Sequence, residues 1–310
     1  MSKKATREAL GETLVELADE GVDVVAVDAD LTGSTTTAKL GAKYGERLFN
    51  VGIAEANMID VAAGLAVAGK IAFTGSFAVF ATGRAYDQIR NTVCYSNLNV
   101  KLTPTHAGVT VGPDGGSHQM LEDIALMRVL PGMRVLVPAD YHAAKAAIRL
   151  AAETPGPFYV RLGRTALPEV YAADVEIELG RANVLREGTD VTLAACGVMV
   201  AQALGAAEVL AGEGISAEVI DVASIKPLDA ETLLTSARKT GAVVTCEEHS
   251  IIGGLGSAIA ELLGENAPAP LKRVGVRDVF GTSGEPDELM EHFGLTAPHI
   301  ATAARELLGK

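Results

Sequence analysis

Tryptophan is absent from the 310 residues, aromatics make up 4% of them, and there are three cysteines. Cys94, Cys196 and Cys246 lie in or beside apolar runs, and no CxxC, HExxH or Cys/His cluster occurs. A disulfide framework and a zinc site therefore drop out, no metal ligand is assigned to this chain, and a reduced, cytoplasmic setting with buried thiols is expected. Basic tracts are missing as well. With a formal charge of −13, neither nucleic acid nor an anionic membrane is an expected partner. No apolar run approaches the roughly 18 residues of a spanning helix. The opening MSKKATREALGETL runs into an amphipathic helix rather than the apolar core of a signal peptide, so a soluble protein is expected.

What is present is glycine, alanine and a regular alternation. The length suits about two domains, and short apolar strands alternate with helical stretches, the pattern of mostly parallel sheets covered by helices. The expected fold class is α/β, with two three-layer α/β/α domains. The first unit spans residues 1–165, with strands at 24–29, 48–51, 71–75, 99–103, 134–139 and 157–162. Helices are expected at 6–18, 34–43, 54–68, 78–95, 118–129 and 140–152. Pro168 and scattered acids mark a linker at 166–185. The second unit, 186–310, is read with strands at 190–196, 216–222, 242–248 and 271–276. Its helices fall near 199–211, 229–238, 254–263 and 297–308, the last capped by Thr296.

Ligands of open α/β sheets bind beyond the carboxyl ends of the strands, and the unusual polar residues of the first unit gather there. Asp28 and Asp30 follow the first strand. Glu55 follows the second, where a short strand taken as buried gives way to a helix of small residues, and a lone carboxylate there needs a partner or a duty. Phe77 and Phe80 follow the third, spaced to share one side of a helix start. THAGVTVGPDGGSHQ (105–119) follows the fourth, bringing His106, Asp114 and His118 into a glycine-rich loop. Imidazoles suit proton movement and hydroxyl binding near neutral pH. Arg161 and Arg164 end the last strand. His142, His292 and His299 have no such neighbours, and His249 is left without a role.

The motifs ATR (5–7), DADLTGS (28–34), FNVGIAEANM (49–58), GSFAVF (75–80), HAGVTVGPDGGSHQ (106–119), RLGRTALP (161–168), KPLD (226–229) and GGLGSAIAELL (253–263) occur in one order. In that order they resemble the transketolase family, over essentially the whole chain. The chain is similar to its carboxyl-terminal half: a pyrimidine-binding domain followed by the terminal domain, as in enzymes split into two subunits. The resemblance implies thiamine diphosphate as cofactor. Glu55 would hydrogen-bond a nitrogen of its aminopyrimidine and favour the imino tautomer, with desolvation raising the carboxyl pKa in the useful direction. Phe77 and Phe80 would pack on that ring, Phe77 the nearer, and Asp30 would line the cleft. His118 and Asp114 would meet sugar hydroxyls, and His118 would relay protons. His106 would stand farther out, toward the phosphate end. Arg7, Ser34 and Arg164 would clamp a sugar phosphate, with Arg161 competing with Arg164 for that place.

The family's diphosphate site, a Gly-Asp-Gly motif followed by an asparagine that together bind Mg²⁺, has no counterpart here. The resemblance therefore implies a partner, an amino-terminal transketolase subunit supplying the diphosphate site and Mg²⁺, in an α2β2 heterotetramer. The implied reaction is transfer of a two-carbon ketol unit from a ketose phosphate to an aldose phosphate. Three other readings stay open. A deoxyxylulose-phosphate synthase would normally carry both halves in one chain. The β subunit of a pyruvate or branched-chain 2-oxo acid dehydrogenase would have no use for His106, His118, Asp114 or a phosphate clamp. A scaffolding subunit would have no reason to keep Glu55. The terminal domain is expected to serve the subunit interface rather than the chemistry, and GGLGSA lacks the context of a nucleotide-binding loop.

Overall fold

The computed structural model describes residues 3–310; Met1 and Ser2, at the head of the stretch read as no signal peptide, lie outside it. The strands are β1 (Lys3–Ala5), β2 (Val24–Asp28), β3 (Leu48–Asn50), β4 (Ile71–Gly75), β5 (Val100–Leu102), β6 (Arg134–Leu136), β7 (Phe158–Val160), β8 (Ala166–Pro168), β9 (Asn183–Arg186), β10 (Val191–Ala195), β11 (Ala217–Asp221), β12 (Ser224–Lys226), β13 (Val243–Ser250) and β14 (Leu271–Val276). A seven-stranded sheet has the order β12-β6-β7-β5-β4-β2-β3, and a five-stranded sheet the order β14-β13-β10-β11-β9. Both are parallel except at one edge, where β12 pairs antiparallel with β6 and β9 with β11.

The parallel strands are apolar on both faces because helices cover both. In β2, Val24 and Ala26 join a core with the helices Thr6–Asp19 and Tyr141–Glu153, while Val25 and Val27 face the helix Glu55–Val67. That second core runs on into the second unit through Ile220, Val222, Leu255 and Ile259, so the two sheets share one apolar seam. The three cysteines are free and buried. No helix of the described residues is long and apolar enough to cross a membrane.

Several sequence expectations are corrected. β3 is the exposed edge of its sheet rather than a buried strand, with Phe49 37% exposed. The stretch read as linker contains β8, which pairs antiparallel with β1. β12 comes from the second half of the chain yet completes the first sheet. The helix expected over 78–95 is broken into two π-helical segments, Val79–Arg84 and Ile89–Cys94, around a short α-turn, and such wide turns are common at functional sites. The helix expected from 118 begins at Asp123, because residues up to Leu121 belong to the histidine loop. Pro286–His292, unassigned from sequence, is helical. Thr296 sits at its helix start, but its hydroxyl engages Glu291 and His299 instead of capping.

Candidate functional site

The loops leaving β2, β3, β4 and β5 converge, and side-chain hydrogen bonds set their shapes. Buried Asp28 accepts from the Leu31 amide at 2.6 Å, Thr35 at 2.7 Å and Thr37 at 2.8 Å, folding residues 31–37 into a compact turn. Burial pushes the Asp28 carboxyl above its usual range, against those hydrogen bonds. Thr36 Oγ1 ties the turn to Arg7, donating to its carbonyl at 2.9 Å. Asn50 bridges the next two loops: its Oδ1 accepts from the amides of Asp30 and Gly52, and its Nδ2 donates to Asp30. Asp30 and His106 have positive φ, 65° and 60°. Non-glycine residues adopt that conformation at a cost and concentrate at functional sites.

Glu55 opens the helix Glu55–Val67 and is 5% exposed. Its partner is Arg84, whose Nη1 donates to Oε1 at 3.0 Å. The same guanidinium lies 4.3 Å from the centroid of the Phe80 ring, a cation–π contact made possible by the wide turn that carries both residues. Phe80 meets His118 edge-on at 5.3 Å, and Phe77 stacks offset on Phe80 at 5.9 Å. An acid, an arginine, two phenylalanines and a histidine thus form one continuous wall.

His106 is buried and stacks on Phe77 at 3.8 Å, and Thr105 Oγ1 lies 2.7 Å from its Nδ1. Burial first, then the charges of Arg7, Arg164 and His118, depress its pKa to about 3, so it is a neutral imidazole at physiological pH. With His106 on one face, Phe77 is almost fully covered, and the partly exposed Phe80 is the more open ring. His118, half-buried, contacts Ser117 Oγ at 3.0 Å.

Arg7 and Arg164 come together because the Arg7 amide donates to the Gly163 carbonyl at 3.2 Å. Arg7 Nη1 donates to the Ser34 carbonyl at 3.1 Å, while its Nε is buried without a hydrogen-bond partner among the described residues. Burial and then Arg164 hold the Arg7 guanidinium below its ordinary pKa. Arg164 donates to the Val111 carbonyl at 2.5 Å and stands 3.4 Å from Asp114. Two close cations, one with an unmet buried donor, suit a multiply charged anion.

Arg161 is not part of this cluster. Its Nε and Nη2 donate to the two oxygens of Asp123 at 2.7 and 3.2 Å, and Nη2 also reaches the Met120 and Glu248 carbonyls. The pair is buried. Desolvation works against both charges, but their attraction keeps Asp123 below the usual carboxylate range and Arg161 above its own. His249, without a role from sequence, lies in the same seam, its Nδ1 2.6 Å from the Ser250 carbonyl and its Nε2 accepting from the Ala125 amide at 3.4 Å.

Sequence reasoning missed Asn50, Arg84 and Glu248. Arg84 stands four residues beyond Phe80, a helical spacing that signals contact. The acids Glu247 and Glu248 close an apolar strand, the same anomaly that drew attention to Glu55. Among the described residues no three His, Cys, Asp or Glu side chains are gathered as a metal ion would require.

Residues 2–170 match the family model described as transketolase, pyrimidine binding domain, and residues 180–300 the one described as transketolase, C-terminal domain. A Methanocaldococcus jannaschii protein described as a transketolase C-terminal section is 49% identical over 310 residues, covering 99% of this chain and 97% of the relative. A Clostridium protein named as a 6-deoxy-6-sulfo-D-fructose transketolase subunit is 50% identical over 301 residues, covering 97% of this chain and 94% of the relative. A solved structure described as a split gene transketolase, inactive β4 tetramer, superposes with a TM-score of 0.92 at 53% identity, covering 99% of both chains.

Proposed function

The chain belongs to the transketolase family, as one subunit of a split, thiamine-diphosphate-dependent two-carbon-transfer enzyme, and from that premise we propose that it carries a ketol unit from a ketose phosphate to an aldose phosphate. The observation that carries the phosphate is the meeting of Arg7, with its unmet buried donor, and Arg164 beside the histidine loop. A 2-oxo acid has no phosphate and no sugar hydroxyls to place there.

The donor set fits the pyrimidine end of the cofactor: a buried carboxyl, a partly exposed aromatic ring that Arg84 overlies, and a neutral imidazole beyond. When bound, thiamine diphosphate supplies a nucleophilic thiazolium carbon and an electron sink. Glu55 offers its carboxyl to a ring nitrogen, and must share or release Arg84 to do so. Phe80 carries the stacking, with Phe77 and His106 as its backing, while Asp30, pinned by Asn50, lines the cleft. His118 reaches the substrate carbonyl or hydroxyl oxygens and passes protons. Asp114, beside Arg164, reads an acceptor hydroxyl, and Arg7, Ser34 and Arg164 hold the phosphate.

The diphosphate and Mg²⁺ fall to an amino-terminal partner subunit, and we take the assembly to be α2β2. Support comes from the split-gene relative, whose β4 tetramer is described as inactive. We divide the chain at residues 165 and 185. Xylulose 5-phosphate and ribose 5-phosphate, given to this chain, its partner and their mixture with thiamine diphosphate and Mg²⁺, test the proposal. Activity is expected in the mixture alone. A second reading has one support, the relative named for 6-deoxy-6-sulfo-D-fructose: a sulfonate would occupy the same arginines, and turnover of that sugar but not of sugar phosphates would select it. Turnover of a 2-oxo acid with lipoamide, and of no sugar, would contradict both.

A further inference from the structure

The histidine loop is held from two sides, and one of them is the second sheet. Glu248, on β13, is 5% exposed and accepts the Thr110 amide through Oε1 at 2.6 Å. From the opposite side Thr165 Oγ1 donates to the Thr110 carbonyl at 2.8 Å, and Arg164 to the Val111 carbonyl at 2.5 Å. The position of residues 110–111 therefore depends on a carboxylate from one domain and, in turn, fixes an arginine of the other. Gly108 has φ +84°, and a Cβ there would fall 2.2 Å from the Glu248 carboxyl carbon, so the carboxylate is seated against bare loop backbone. Arg161 stands behind it, Nη1 3.9 Å from Oε2 while Nη2 bonds the Glu248 carbonyl. Its charge offsets part of the cost of burying the acid.

We propose that Glu248 is a positioning residue for substrate recognition: it sets the histidine loop, and through Val111 the Arg164 guanidinium, so that the second domain shapes the anion end of the sugar site. It touches no substrate itself. The proposal rests on the sugar-phosphate reading above for its kinetic consequence, but the loop's anchoring can be read without it.

The experiment compares wild type, Glu248→Ala and Glu248→Gln in the complex reconstituted with the partner subunit. Glu248→Ala removes the acceptor and is expected to raise KM for the phosphorylated acceptor on the order of tenfold, the usual worth of a charge-assisted hydrogen bond. The affinity for thiamine diphosphate should stay within about twofold of wild type, because Glu55 and Phe80 are untouched. Glu248→Gln retains an oxygen for the Thr110 amide and should recover most of the loss. Hydrogen exchange on the isolated chain gives the second readout: the 107–120 segment should exchange faster in Glu248→Ala while segments of β10 and β11 keep their protection. Unchanged KM and unchanged loop exchange would overturn the proposal, as would a uniform fall in kcat, cofactor affinity and protection across both domains. Should Glu248→Ala fail to fold, Gly108→Ala, which drives a methyl into the carboxylate from the loop side, must reproduce the KM and exchange changes or the proposal fails. A wild-type complex inert toward sugar phosphates would instead defeat the functional reading, leaving loop exchange to decide the anchoring.

Discussion

Beyond the carboxyl ends of β2 to β5 lie Asp30, Phe80, His118 and Asp114, partly or fully exposed and open to a ligand. At the corresponding ends of the second sheet, Asp221, Glu247, Glu248 and His249 are all buried. Asp221 accepts the Tyr171 hydroxyl at 2.7 Å, and burial pushes its carboxyl up to about 7. Glu247 accepts the amides of Leu255 and Gly256 at the start of a helix, 2.7 and 2.9 Å away. Two mostly parallel sheets of one architecture thus use the same topological position in opposite ways: one leaves its strand ends to a site, the other closes its own against the first domain. A strand-end carboxylate by itself does not mark a site; its surroundings decide.

The comparison can be broken most severely at the seam. Arg161→Met leaves Asp123 buried without its partner and should cost about 3–5 kcal/mol in urea unfolding. A loss under about 1 kcal/mol would mean that the buried pair adds little to stability. Next in size is Arg164→Ala, on the open side. It should raise KM for phosphorylated sugars on the order of tenfold with little change in stability, and equal losses for substrates lacking the anion would remove Arg164 from the clamp. The smallest effect belongs to Arg84→Ala. Freeing Glu55 from a half-exposed pair worth about 1 kcal/mol should tighten thiamine diphosphate binding a few-fold, read by near-ultraviolet circular dichroism of the complex. Weaker binding would make Arg84 part of the cofactor site rather than its competitor.

The fold was legible because short apolar runs and helical stretches are local signals: β4, β14 and the helix Ala297–Leu308 fall at their expected residues. What escaped were features fixed by distant partners. β12 has three residues and no pattern of its own, and it exists because β6 offers a free edge. The π-turns at Val79–Arg84 replace a regular helix where Arg84 meets Glu55 and Phe80. Residue type and motif singled out Glu55, Phe80, His118, Arg7 and Arg164, which the structure gathers into two neighbouring clusters. Arg161 and Arg164, three residues apart, could not be separated in sequence, since only Asp123 decides which one turns inward. The stacking of His106 escaped for a similar reason: its positive φ turns the ring onto Phe77, and no local pattern announces that.

Glu55→Gln in the reconstituted complex is the most direct trial, with sugar-phosphate turnover and thermal unfolding measured side by side. Turnover should fall roughly 10²–10⁴-fold, the range for removing a proton-handling group, with the unfolding midpoint close to wild type. Undiminished turnover, or a loss matched by collapse of the fold, would show that this acid serves packing and not the cofactor.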